Sequence, residues 1–179
     1  MEKTFLKIKI LLVVATFFIP ETRVYSQSEI KNSKIEFFIK NLGVEVKGSF
    51  DLGEAKINFD KDNLEKSEIS GFVYVKSINT GIVMRDNHLI SADYFYADFY
   101  PKITIKSKKF FSFPSEKDKF VGIFEVNIKS IKKDLSIVFE YFNNTLKTEF
   151  ELNRLDFGVG SSSFSLSDNV KIKIQIDLK

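Results

Sequence analysis

Residues 170–178 read Val-Lys-Ile-Lys-Ile-Gln-Ile-Asp-Leu, so apolar and polar side chains alternate without a break. Because successive side chains of a β-strand point to opposite faces, this period of two predicts a strand with one apolar and one polar face. Such strands are typical of an antiparallel sheet that packs one face on a core and exposes the other to water.

The same alternation extends towards the N-terminus. It is present in residues 33–39, 44–50, 55–59, 69–75, 103–107, 120–128, 135–141 and 148–152. Stretches rich in Asp, Asn, Gly, Pro and Ser separate several of these segments, as turns require. Roughly eight or nine short strands in one domain predict either a sandwich or a closed barrel, and the pattern alone leaves both open.

One stretch, residues 77–100, breaks the alternation. Residues 82–90 have the pattern of a short helix, and Ser91 is placed to cap a second helical turn through residues 92–96. The sequence therefore predicts a short helical crossover near residues 82–96. In a barrel, such a crossover would lie over one end.

The N-terminus has the layout of an export signal. A lysine-rich start precedes an apolar run at residues 8–19, and Val24 and Ser26 stand at the −3 and −1 positions of a cleavage site. This pattern predicts a secretory signal peptide over residues 1–26 and a single mature domain over residues 27–179. The apolar run is too short for a transmembrane anchor. We therefore expect a periplasmic or secreted protein that does not span the membrane.

Composition excludes several classes of site. The chain has no Cys and one His among 179 residues, which excludes disulfides, zinc–thiolate centres and cysteine nucleophiles and leaves no histidine cluster for a metal. Loss of residues 1–26 removes four basic and two acidic residues, so the formal net charge falls from +3 to +1. We therefore expect no metal site, no cofactor and no nucleic-acid partner.

Several motifs follow one another between residues 77 and 103. They are Ser-Ile-Asn-Thr-Gly at 77–81, Arg-Asp-Asn-His-Leu at 85–89, Ser-Ala-Asp-Tyr-Phe at 91–95 and Tyr-Pro-Lys-Ile at 100–103. A later element, Asn-Arg-Leu-Asp-Phe-Gly-Val-Gly, occupies residues 153–160. In order and spacing the chain resembles the YceI-like family over residues 33–178. The resemblance implies an extended antiparallel lipocalin-like β-barrel outside the cytoplasm, with a long apolar interior that binds polyisoprenoid chains such as isoprenoid quinones.

Sixteen apolar or aromatic residues are predicted to form the barrel interior and to contact such a ligand. They are Ile35, Phe37, Ile39, Val46, Phe50, Ile57, Phe59, Val73, Val75, Ile103, Ile105, Phe120, Phe124, Phe139, Tyr141 and Phe150. An eight-stranded barrel is either packed solid or hollow enough for one ligand, and the alternation is the same in both cases. Only the family resemblance favours a cavity.

Five polar residues are candidates at the crossover or the barrel rim. Arg85, Asp86 and His88 could bind a headgroup or act as a general acid, but we favour hydrogen bonds that hold the crossover to nearby backbone. For Arg154 and Asp156 we favour a salt bridge that closes the barrel end. The alternative is that the cation lies at the rim and binds a pyrophosphate or quinone oxygen of the ligand. No catalytic residue is assigned.

The sequence thus predicts an exported, non-enzymatic binding protein that holds an isoprenoid or another long-chain lipid inside a barrel. The first alternative is a packed barrel that acts through protein contacts in envelope stress. A less favoured alternative is a lipid-modifying enzyme centred on residues 85–88.

Overall fold

The computed structural model describes residues 29–179, so the predicted signal peptide at residues 1–26 lies outside the described range. Within that range the strands are β1 (Ile30–Asn41), β2 (Val44–Phe50), β3 (Leu52–Asn58), β4 (Glu68–Tyr74), β5 (Lys102–Ser112), β6 (Lys119–Ile128), β7 (Ile131–Phe142), β8 (Thr145–Asn153) and β9 (Asn169–Leu178). One α-helix, α1 (Val83–Leu89), lies between β4 and β5. Short 3₁₀ helices occur at Leu64–Lys66, Val75–Ser77 and Arg154–Phe157.

All nine strands form one antiparallel sheet in the order β2-β1-β9-β8-β7-β6-β5-β4-β3. The first and last strands of this order, β2 and β3, are separated in the chain only by Asp51. The sheet therefore curls round until its two ends meet at a single residue. The predicted all-β, lipocalin-like barrel is confirmed, and its nine strands agree with the eight or nine that the alternation predicts.

Cross-strand pairs place the alternating apolar residues on the inner face. Ile172 of β9 lies opposite Phe37 of β1 on one side and Phe150 of β8 on the other. Because neighbouring residues in register point to the same face, these three side chains form one continuous row. Gly48, the partner of Phe37 on β2, has no Cβ and leaves room for the Phe37 ring to lie over it.

A β-bulge changes the parity of β5. The register of β5 against β6 shifts between Ser107 and Lys109. A bulge inserts one extra residue, so the inward positions change from odd numbers such as Ile105 to even numbers such as Phe110. Phe110 is consequently buried, and β5 continues to Ser112, beyond the predicted strand end at residue 107.

The end of the barrel that contains the β5–β6 loop is filled with aromatic rings. Phe59 lies at the centre, with ring centroids 4.8 Å from Phe120, 5.2 Å from Phe139 and 5.4 Å from Phe110. Most of these pairs are edge-to-face, the arrangement that aromatic quadrupoles favour. This end of the interior is therefore a solid core.

The outer face of β1 has a buried carboxylate, Glu36, which is 8% exposed. Its carboxylate oxygens form ion pairs with Lys47 Nζ at 2.6 Å and with Lys34 Nζ at 3.2 Å. The hydrogen bond from Lys47 is the main reason that the pKa of Glu36 lies below its usual value, and burial opposes this effect.

We expect Glu36→Gln to lower the melting temperature at pH 7 by about 2–4 °C, which corresponds to about 1 kcal/mol for a carboxylate whose lysine partners are exposed to water. Because the folded pKa is depressed, the carboxylate stabilises the protein above its unfolded pKa, and this contribution is lost as the pH falls through the folded pKa. The difference in melting temperature between the variant and the wild type should therefore be smaller at pH 3 than at pH 7. An equal difference at both pH values would contradict the prediction.

Candidate ligand-binding site

The end of the barrel opposite the aromatic core contains a cavity of about 240 Å³. The inner faces of β1, β2 and β9 form one wall, and those of β3, β4 and β5 form another. Leu89 and Phe95 of the crossover and Val159 and Leu166 of the loops after β8 lie at its end. The barrel is thus filled at one end and hollow at the other.

Ten of the sixteen residues predicted for the interior line this cavity. They are Ile35, Phe37, Ile39, Val46, Phe50, Ile57, Val73, Ile103, Ile105 and Phe150. Each belongs to a strand, and each lies on the inward face that the alternation indicates.

The other six predicted interior residues do not line the cavity. Phe59, Phe120, Phe124, Phe139 and Tyr141 belong to the aromatic core at the opposite end. Val75 is buried in the 3₁₀ helix that follows β4. The five aromatic side chains point inward, but within residues 29–179 they pack against one another and leave no cavity in front of them.

Several lining residues were not among the predicted sixteen. Val126 and Ile128 continue the even-numbered inward face of β6, and Leu152 continues that of β8, so alternation alone was sufficient to find them. Phe95 lies outside any strand, and its ring stands edge-on to Phe50 at 5.9 Å between centroids. Alternation contains no information on such crossover residues.

Hydrogen bonds to Thr80 hold the start of the crossover. The Asp86 carboxylate accepts hydrogen bonds from the backbone N–H and the hydroxyl of Thr80. Arg85 donates from Nε to the Thr80 hydroxyl at 2.7 Å and from Nη2 to the Thr80 carbonyl oxygen at 2.7 Å. Both side chains thus hold the start of the crossover through Thr80. Arg85 also lines the cavity, whereas Asp86 does not.

Among the described residues, the His88 ring does not make the hydrogen bond to backbone that we expected. It lies against the Tyr94 ring, 4.9 Å between centroids, and outside the cavity lining. Ser91 donates its hydroxyl to the His88 carbonyl oxygen and does not cap a second helix. The helix consequently ends at Leu89, and turns replace the predicted helical structure over residues 92–96.

Arg154 closes the loops at the hollow end and is only 4% exposed. Its ion pair is with Asp168, at 2.9 Å, whereas Asp156 pairs with Lys133 at 3.1 Å. The predicted salt bridge at this end therefore does not join Arg154 to Asp156. The reason is that Asp156 lies in the exposed part of the 3₁₀ helix, while the chain before β9 brings Asp168 to the buried guanidinium.

Within residues 29–179, no helix combines the length and the hydropathy that crossing a bilayer requires. In the same range, His, Asp and Glu side chains form no group of three that could hold a metal ion.

A curled antiparallel sheet around an apolar cavity, with a crossover at the hollow end, defines a lipocalin-like β-barrel. The chain belongs to the YceI-like domain family, whose family model matches residues 27–178. Among curated relatives, UPF0312 protein SA2479 of Staphylococcus aureus is 34% identical over 121 residues, which cover 67% of this chain and 66% of that protein. The chain thus spans slightly less than two thirds of that relative.

Solved structures share the fold. The Campylobacter jejuni YceI protein has a TM-score of 0.66 and 26% identity, covering 75% of this chain and 85% of that one. Burkholderia cenocepacia BcnA has a TM-score of 0.74 and 21% identity, covering 83% and 98%. A Saccharophagus degradans domain described as polyisoprenoid-binding has a TM-score of 0.62 and 11% identity, covering 84% and 95%.

Proposed function

We propose that this chain is an exported, non-enzymatic binding protein that holds a polyisoprenoid or an isoprenoid quinone in the cavity of its barrel. The observation that carries the proposal is the apolar cavity of about 240 Å³ at the hollow end. The description of the S. degradans domain as polyisoprenoid-binding supports the ligand class. The pattern of residues 1–26 supports export, and the position of His88 outside the cavity lining supports a role without catalysis.

Burial of an apolar tail in this cavity supplies enough free energy for useful affinity. Each CH₂ group removed from water contributes about 0.8 kcal/mol, so a five-carbon isoprene unit contributes roughly 3–4 kcal/mol before the cost of ordering the ligand. Two or three buried units thus contribute roughly 6–12 kcal/mol before that cost, a range that includes the roughly 8 kcal/mol of a micromolar dissociation constant.

The test is lipid extraction of the purified protein followed by mass spectrometry. We expect an isoprenoid lipid to co-purify with the wild type. Val73→Phe should reduce the recovered lipid about tenfold or more, since Val73 pairs with the lining residues Leu52 and Ile103 and an added ring would occupy the cavity. Circular dichroism would verify that the variant is folded.

Val138→Phe is the matched control, because Val138 is 41% exposed on the outer face of β7. It should recover as much lipid as the wild type. Repeated purification of the wild type without any bound lipid would contradict the proposal and favour a barrel that acts through protein contacts. Equal recovery from Val73→Phe and the wild type would contradict the assignment of the cavity.

A further inference from the structure

Most residues that line the cavity are apolar, but the lining also includes positively charged side chains. Two arginines, Arg85 and Arg154, contribute to it, and no Asp or Glu within residues 29–179 lines it. The remaining polar lining residues are neutral. A charge beside an apolar cavity is unfavourable unless it is paired, so the partners of the two guanidinium groups distinguish their roles.

The protein uses four of the five N–H donors of the Arg154 guanidinium. Nε donates to Ser167 O at 3.0 Å, Nη1 to Val159 O at 2.8 Å, and Nη2 to Ser161 O at 2.8 Å and to Asp168 Oδ1 at 2.9 Å. The Asp168 carboxylate neutralises its charge. Arg154 therefore closes the barrel end and has little capacity left for a ligand.

Arg85 has a different environment. Its guanidinium has five N–H donors, and the hydrogen bonds it makes within residues 29–179 are the two to Thr80, both to uncharged oxygens. In that part of the chain no carboxylate lies within 4.0 Å of it, since the neighbouring Asp86 is turned towards Thr80. The charge of this half-buried side chain is thus not neutralised by the protein.

The contacts with Thr80 also hold the guanidinium in place. Asp86 fixes Thr80 through its backbone N–H and hydroxyl, and Thr80 in turn fixes Nε and Nη2 of Arg85. The Nη1 group and one N–H of Nη2 remain as donors. A planar guanidinium with free N–H groups matches the oxygens of a carboxylate or a phosphate, with little further ordering on binding.

We infer that Arg85 is the headgroup site of the cavity and that the ligand is an anionic amphiphile. Its carboxylate or phosphate oxygens accept hydrogen bonds from Arg85, and its apolar tail occupies the lined space between β1 and β5. This inference rests on the proposed function and adds the charge and position of the ligand head.

The test compares three ligands that share one tail: farnesyl phosphate, farnesoic acid and farnesol. Isothermal titration calorimetry on delipidated protein measures each affinity. We expect both acids to bind about 10- to 100-fold more tightly than the alcohol, as for a charge-assisted hydrogen-bond pair. Tighter binding of the phosphate than of the carboxylate would identify a phosphate head, and the reverse order a carboxylate head.

Arg85→Met should reduce the ratio of acid affinity to alcohol affinity to about one, and Arg85→Lys should restore part of it because it keeps the charge without the planar fork. Lys117→Met is the control: it removes one positive charge in the β5–β6 loop at the filled end and should keep the wild-type ratio.

The two hypotheses fail in different ways. Equal binding of the acids and the alcohol by the wild type would overturn the headgroup site and leave the lipid-binding function standing. Absence of binding for all three ligands would count against the proposed function itself. If Arg85→Met keeps the wild-type ratio of acid affinity to alcohol affinity, another residue binds the headgroup and the inference is overturned.

Discussion

Replacement of Arg154 by Met is expected to lower the free energy of unfolding by about 3–5 kcal/mol, the cost of breaking a buried charged network. The substitution leaves the carbonyl oxygens of Val159, Ser161 and Ser167 without their donor and Asp168 without its ion-pair partner. Arg154 is only 4% exposed and its hydrogen bond to the Val159 carbonyl oxygen is buried, so water has poor access to that oxygen. Urea denaturation followed by circular dichroism measures the change.

Lys133→Met is the matched control for Arg154→Met. This substitution also removes an ion pair with an aspartate, Asp156, but the Lys133 and Asp156 side chains are both exposed to water. An exposed pair contributes about 0–1 kcal/mol, so the control should remain close to the wild type. If both variants lose the same small amount of stability, the network around Arg154 is not a structural element of the barrel end.

Replacement of Phe139 by Ala is expected to have a similarly large effect, about 3–5 kcal/mol, the range for a buried Phe truncated to Ala. The ring is 2% exposed and its centroid lies 5.2 Å from Phe59, 5.7 Å from Phe120 and 5.8 Å from Phe110. Its removal leaves a void in the part of the interior that is packed most densely with rings. Thermal and urea unfolding measure the loss.

The control for Phe139→Ala is Phe142→Ala on the same strand. Phe142 is 59% exposed, so its truncation should change the free energy of unfolding by less than about 0.5 kcal/mol. Phe139 does not line the cavity, so the folded Phe139→Ala variant should bind lipid as the wild type does. A small stability loss together with weakened lipid binding would contradict the division of the interior into a packed and a hollow end.

The division of the interior was only partly predictable. Alternation identified Phe37, Phe50 and Phe150, which line the cavity, and equally Phe120 and Phe139, which do not. All five point inward, because the direction of a strand side chain depends on its parity alone. Whether a ring meets another ring or empty space depends on the strand across the barrel, which is distant in sequence.

The polar residues show the same limit. The motif at residues 85–89 indicated that Arg85 and Asp86 act at the crossover, and the structure places both there, on Thr80. The partner of Arg154 was not predictable from its neighbours in sequence. Asp168 is fourteen residues further along the chain and reaches Arg154 only because the intervening loop folds back before β9.

A side-chain period of two and the spacing of motifs are local properties of the chain, and they were enough to predict the strands, the inward face of most of them and the family. The folded chain was needed to show which end of the barrel is hollow, where the bulge in β5 turns Phe110 inward, and which arginine keeps most of its donors free. Packing density and hydrogen-bond saturation depend on groups brought together from distant strands and loops, and local pattern does not contain that information.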